Sequence, residues 1–210
     1  MQELEAYLWA TPNSRRVAIL FEELGLRYRV HGVNIRAREQ FAPQILALNP
    51  YGKIPIVTWL EAGERQILTE SGAILLRFAE RFGLFLPSEP VARDQVMTWL
   101  MVALTSVGPM IGQAHHWTEL APEKPEVARR HHVGLVERVF RLLDGHLAGR
   151  AYLAGEYSIA DIAAFPWINE YRWAAVELAD YPNLAAWRQR VAARPAVIEA
   201  MTLPKGAKLA

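Results

Sequence analysis

A proline at the mouth of an apolar strand narrows the choices for this chain more than any other feature. In Asn49-Pro50-Tyr51-Gly52-Lys53-Ile54-Pro55-Ile56-Val57, an apolar run begins at Ile54 and ends near Leu60, yet Pro55 removes a ladder donor near its start. Proline is tolerated in such a place only at an edge or a special site, and the Ile54-Pro55 bond is a candidate for the cis isomer. A cis bond would turn the N–H and C=O of Ile54 outward, where an extended peptide could pair with them as an added strand. Lys53 beside it could meet a carboxylate. The competing reading is an ordinary turn before a strand.

The residues around this segment alternate between two periods. Leu4, Ala6 and Leu8 alternate with Glu5, Tyr7 and Trp9 as in a strand, and Val17, Leu20, Phe21 and Leu24 follow at helical spacing, with Gly25 placed for a left-handed cap. Tyr28 to Ile35 reads as a second strand and Pro43 to Asn49 as a short helix. The run to Leu60, the Ala62-Gly63 turn and the run from Arg65 to Thr69 make a hairpin. Ser71 then opens a helix that buries Ile74, Leu75, Phe78 and Phe82 and closes at Gly83. The order is βαβ followed by ββα.

Beyond Leu86-Pro87-Ser88-Glu89-Pro90, a natural linker, strand signals vanish. Helical periodicity runs near 91–119, 123–148, 159–179 and 183–193, with Gly108-Pro109 placed to kink the first of these. Ser158 and Asp161 form a capping box, flanked by Tyr157 and Ile162 as a hydrophobic staple, ahead of a helix too apolar to lie on a surface. The fold class is therefore α/β plus all-α, with domains at 1–84 and 91–210.

Charge and cysteine content remove several classes of function. The chain carries 23 basic and 22 acidic residues with no basic stripe, so nucleic acid is not an expected partner. No apolar run nears the roughly 20 residues that span a bilayer, and the N-terminus carries acids where a secretory signal carries bases, so the expectation is a soluble cytoplasmic protein with no membrane partner. There is no cysteine, which excludes disulfides, thiolate metal sites and a protein-borne thiol nucleophile. If thiol chemistry occurs, a small molecule brings the sulfur. His115-His116 and His131-His132 are adjacent pairs about 100° apart on a helix, unsuited to chelating one ion, and no metal is expected.

Three segments carry candidate chemistry. Thr11-Pro12-Asn13-Ser14 places hydroxyl and amide groups at the first turn of a helix, whose unpaired N–H groups would stabilise a thiolate, although plain capping explains the same residues. The Lys53-Ile54-Pro55 segment is the second. In the third, Ser71 should cap its helix and help to hold a ligand carboxylate, while Glu70 could accept an ammonium, so the ligand would have an amino acid end.

Thr11-Pro12-Asn13, Asn49-Pro-x-Gly-Lys-Ile-Pro55, Glu70-Ser-Gly-Ala-Ile-Leu75 and Ser158-Ile-Ala-Asp-Ile162 together resemble the signature segments of glutathione transferases, over essentially the whole chain. Thr11-Pro12-Asn13 and Gly108-Pro-Met-x-Gly-Gln-x-His-His116 resemble the bacterial nu class, which reduces disulfides with glutathione and often conjugates weakly. The resemblance implies an N-terminal thioredoxin-like domain followed by a C-terminal helical bundle, glutathione as co-substrate, a small disulfide or electrophile as second substrate, and a homodimer. It implies that Thr11 and Asn13 contact the sulfur, that Ile54, next to Pro55, pairs with the cysteinyl backbone, and that Glu70 and Ser71 hold the γ-glutamyl end. Gln40 and Lys53 would address the glycine end, and Arg130 would reach glutathione from the helical domain. Tyr7 and Ser14 are the competing catalytic hydroxyls. Conjugation to an electrophile, or a non-catalytic glutathione-binding module, are the alternative functions.

Overall fold

The computed structural model describes residues 2–207, which divide into two compact units. The first takes in the chain up to Phe82 together with the segment from Arg194 onward, and the second runs from Gly83 to Ala193.

In the first unit β1 (Gln2–Leu8), α1 (Pro12–Glu23) and β2 (Arg29–Gly32) form a parallel βαβ unit. After α2 (Pro43–Leu46), the hairpin of β3 (Ile56–Glu61) and β4 (Glu64–Thr69) leads into α3 (Ser71–Phe82). The sheet order is β2-β1-β3-β4, with β3 antiparallel to both neighbours. Ala6 lies opposite Val57 and Tyr7 opposite Ile56, so successive residues serve opposite faces. One face buries Ala6, Val57 and Trp59, with Phe21 of α1 and Phe78 of α3 in tilted ring contact at 4.7 Å between ring centroids. On the other, Ile56 packs with Val33 and Ile45, supported by Tyr7, Leu48 and Ile54.

The second strand is shorter than its sequence span because the Asn34 side chain ends it. Asn34 Oδ1 accepts from the Arg36 and Ala37 amides at 3.0 and 3.3 Å, an Asx turn that diverts the backbone from the ladder. The final segment, expected in the helical domain, groups with the first unit. Here α9 (Pro195–Ala200) packs on α1, where Arg194 grips Glu23, whose side chain is only 8% exposed, with two hydrogen bonds, at 2.5 and 2.9 Å, and Arg15 Nη2 donates to the Met201 carbonyl at 3.4 Å. These partners lie more than 170 residues apart, so local periodicity holds no trace of them. Arg194→Ala should cost about 2 kcal/mol, since a bidentate charged pair is lost and Glu23 stays buried. Urea unfolding checks this, and a loss below about 0.5 kcal/mol, the level of an exposed pair, would contradict the clamp.

The second unit is helical: α4 (Pro90–Val102), α5 (Gly108–His115), α6 (Glu126–Leu147), α7 (Ile159–Ile168) and α8 (Pro182–Ala192). The expected kink at Pro109 takes the form of a π-helical turn, Ala103–Val107, in which the Gly108 amide reaches back to the Ala103 carbonyl. Proline has no amide to donate, and the widened turn before it keeps the helix going. The helical stretch Pro90–Leu120 is thereby 31 residues long and holds a window of mean hydropathy 1.3, enough by length and composition to cross a membrane. Reading apolar runs missed it. Val96, Leu100, Val107 and Ile111 are buried within this unit, where α4 and α5 pack against α6 and α7. The expected helix over 159–179 ends at Ile168 and gives way to 3₁₀ turns at Tyr171–Ala174 and Leu178–Asp180, with Ala175 left-handed between them at φ 53°.

Candidate functional site

The first unit holds a cavity of about 210 Å³ lined by Asn13, Asn49, Tyr51, Lys53, Ile54, Pro55, Glu70 and Ser71. Six of the nine sequence-derived site residues meet there: Asn13, Lys53, Ile54, Pro55, Glu70 and Ser71.

Each wall follows from local chemistry. Thr11, extended at φ −121°, caps α1: its Oγ1 accepts from the Ser14 amide at 3.4 Å and donates to Ser14 Oγ at 3.1 Å, which leaves Asn13 in the first turn. Thr11 itself does not line the cavity. The loop before β3 is shaped by the buried Asn49, whose Nδ2 donates to the Lys53 carbonyl at 2.8 Å while Oδ1 accepts from the Tyr51 amide at 3.2 Å. Gly52 completes the turn at φ +65°, and a Cβ there would sit 2.7 Å from the Phe41 ring, so the position demands glycine twice over. The Ile54-Pro55 bond is cis. Among the described residues, no backbone hydrogen bond within the protein uses the Ile54 amide or carbonyl.

At the third wall the structure corrects the capping assignment. α3 begins at Ser71, and it is Glu70 whose carbonyl accepts the first helical bond, from Ile74 N at 3.0 Å. Glu70 adopts φ +68°, a left-handed conformation costing a non-glycine residue on the order of 1 kcal/mol, and such strain gathers at functional sites. The Ser71 hydroxyl turns inward and accepts from Arg16 Nη1 at 3.2 Å. The same nitrogen donates to Asn13 Oδ1 at 2.9 Å. Burial pushes the Arg16 guanidinium down to about 9, still well above neutral, so it remains a cation. Arg16 has no part in the sequence-derived site. Its one available signal was position: Arg16 precedes Val17 by one residue on the apolar side of α1.

Three expected residues lie outside the cavity lining. Gln40 occupies the 3₁₀ turn Glu39–Phe41, with its Oε1 buried and unpartnered among the described residues. Arg130 lies exposed on α6 in the second unit, 3.5 Å from Glu126. Of the competing hydroxyls, Ser14 is buried and accepts from the Trp9 amide at 3.3 Å. Tyr7 is bound to the sheet: its hydroxyl donates to Glu5 at 3.4 Å and accepts from Arg65 at 3.3 Å, and its ring stacks on His31 at 4.6 Å. Of the histidine pairs, His115 stacks on Trp173 at 4.4 Å, where burial lowers its pKa.

Chemically the cavity offers donors at two helix N-termini, an open strand-like backbone at Ile54, and Lys53 and Glu70 as opposite charges. It suits a short, extended, zwitterionic peptide with an anionic centre near α1.

The chain is similar to known proteins over nearly its whole length. Residues 10–81 match the glutathione S-transferase N-terminal domain and residues 96–195 the C-terminal domain. The chain is 37% identical to the disulfide-bond oxidoreductase YfcG of Escherichia coli K12, over 94% of each protein. A glutathione transferase from Pseudomonas putida, solved with one glutathione disulfide per subunit, superposes with a TM-score of 0.92 at 34% identity, covering 97% of this chain and 92% of that one. Another from Burkholderia graminis, solved with two glutathione molecules per subunit, gives 0.90 at 33% identity, covering 98% and 90%. With both domain models matched in order and relatives aligned nearly end to end, the chain belongs to the glutathione S-transferase family.

Proposed function

We propose that this chain binds glutathione in the cavity of its first unit and uses the thiol to reduce disulfides. The observation that carries the reading is the meeting of Asn13, Ile54, Glu70 and Ser71 around one small cavity. Ile54 pairs with the cysteinyl backbone. Glu70 and Ser71 hold the γ-glutamyl ammonium and carboxylate, and Lys53, aided by Gln40, meets the glycine carboxylate. Thr11 and Asn13 address the sulfur, where the α1 terminus favours the thiolate.

The absence of cysteine fixes the stoichiometry of such a reaction. A glutathione thiolate attacks one sulfur of the substrate disulfide, and the other sulfur leaves as a thiolate and takes up a proton. A second glutathione thiolate then attacks the mixed disulfide, releasing the second substrate thiol and leaving glutathione disulfide. Relatives solved with glutathione disulfide or with two glutathione molecules support this order, as does the name of the Escherichia coli relative. The same reading carries the expectations of a cytoplasmic setting and a homodimer.

A turnover assay comparing a small disulfide with a chloronitroaromatic, at equal glutathione, tests the proposal. Faster turnover of the disulfide supports it. A faster chloronitroaromatic reaction favours conjugation, and glutathione binding without either turnover favours an interaction module. Glu70→Ala and Ser71→Ala should each weaken glutathione binding by roughly 1 to 3 kcal/mol, because each strands one charge of the zwitterion. Titration calorimetry that matched wild type for both variants would place the ligand elsewhere.

A further inference from the structure

We propose that Arg16 is a positioning residue that couples the sulfur end of the site to its γ-glutamyl end, an inference that rests on the glutathione reading above. The two ends stand on different helices, α1 and α3, and 55 residues separate Arg16 from Ser71. Arg16 joins them through one nitrogen: Nη1 lies 2.9 Å from Asn13 Oδ1 and 3.2 Å from Ser71 Oγ. Only 3% of the residue is exposed, so the cation acts from beneath the cavity and not as a ligand contact.

The chemistry of guanidinium decides what its two partners can do. Arginine has five donors and no acceptor, so Asn13 must present its oxygen to Arg16. That removes the usual ambiguity of an amide and turns the Asn13 nitrogen, with its two hydrogens, away from the guanidinium. Ser71 is constrained in the same way. Its oxygen receives the Arg16 proton, which leaves its own hydrogen to be donated to another group. Both residues line the cavity, and both are thereby set as donors toward an anion. Charge adds to geometry, because a buried cation acts through a low dielectric and favours both the thiolate and the γ-glutamyl carboxylate. Arg16 can thus lower the cost of placing two negative charges in one small cavity while touching neither.

The test combines a spectroscopic readout with a mutant cycle. In the wild type, binding of glutathione by calorimetry comes first; if none is seen, the proposed function fails and takes this inference with it. Given binding, Arg16→Met keeps the stem and removes the cation. It should raise the pKa of the bound thiol by about one unit, read from its thiolate ultraviolet absorbance, a tenfold change in ionisation. It should also weaken binding of S-methylglutathione, which has no thiol to ionise, because the Ser71 end is loosened as well. Arg16→Lys should restore part of each effect, since an ammonium keeps the charge without the planar fork.

The cycle needs no Arg16 variant and decides the matter even if Arg16→Met does not fold. Asn13→Ala and Ser71→Ala share Arg16 as a partner, so their losses of glutathione affinity should be non-additive, with the double variant departing from the product of the single losses by about fivefold or more. Additive losses, or a folded Arg16→Met with an unchanged thiol pKa, would overturn the proposal.

Discussion

Asp161→Ala is expected to lower folding stability by about 4 kcal/mol, well beyond the roughly 1 kcal/mol of a helix cap. The carboxylate is fully buried and closes the capping box of α7, with Oδ2 accepting from the Ser158 amide at 3.1 Å. It does more than cap. Oδ1 also accepts from the Leu153 amide at 3.0 Å and from Trp187 Nε1 at 2.8 Å, so one side chain ties the loop before α7 and the core of α8 to the helix start. Truncation leaves these three buried N–H donors, and the Ser158 hydroxyl that donates to Oδ2 at 3.3 Å, without their acceptor, each N–H costing about 1 to 3 kcal/mol.

The same residue gives the fold a pH dependence of unusual sign. Burial raises its pKa to about 6 from 3.8, against the pull of the four hydrogen bonds that favour the ionised form. The folded chain therefore holds this proton more tightly than the unfolded chain. The stabilisation from protonating Asp161 is complete below about pH 4, is lost as the pH rises toward 6, and is absent above that. Two pKa units correspond to roughly 3 kcal/mol. Denaturant unfolding of wild type and Asp161→Ala from acid to neutral pH isolates the contribution. The wild type should lose stability relative to the variant over that window, and parallel curves would contradict the assignment.

The parts of the fold that could be read from the sequence are those fixed by neighbours. The alternation of Leu4, Ala6 and Leu8, the hairpin around Ala62-Gly63 and the Ser158 capping box all depend on contacts within a few residues, and each appears where its pattern placed it. The parts that could not be read depend on distant partners. Nothing near Arg194 announces that it will grip Glu23, and nothing near Arg16 announces Ser71. The site shows the same division. Lys53, Ile54 and Pro55 belong to a single motif, whereas Glu70 takes over the capping position from Ser71 because Ser71 is engaged by a guanidinium from another helix. A serine before an apolar run is ambiguous between cap and first turn, and only the partner resolves it.

Thr11→Ala is expected to slow turnover with glutathione about 100-fold, the loss that follows removal of one donor to a developing anion. In the structure the Thr11 hydroxyl donates to Ser14 Oγ at 3.1 Å. A hydroxyl hydrogen rotates freely, and when a thiolate lies at the α1 terminus the charged sulfur is the better acceptor. Ser14 keeps the Trp9 amide as its donor, so redirecting Thr11 leaves no buried group without a partner. Tyr7 has no such freedom, held as it is by Glu5, Arg65 and the stacked His31. The discriminating measurement is an ultraviolet titration of the glutathione complex for wild type, Thr11→Ala, Asn13→Ala and Tyr7→Phe. A free thiol ionises near pH 8.5, and the bound thiol of the wild type should ionise distinctly lower. Thr11→Ala and Asn13→Ala should each move that curve back toward the free value, while Tyr7→Phe leaves it in place. Thr11→Ala also loses a cap worth about 1 kcal/mol, so turnover is compared at a temperature where both proteins are fully folded. A curve that shifts for Tyr7→Phe alone would assign the thiolate to the tyrosine hydroxyl and leave Thr11 only its place at the head of α1.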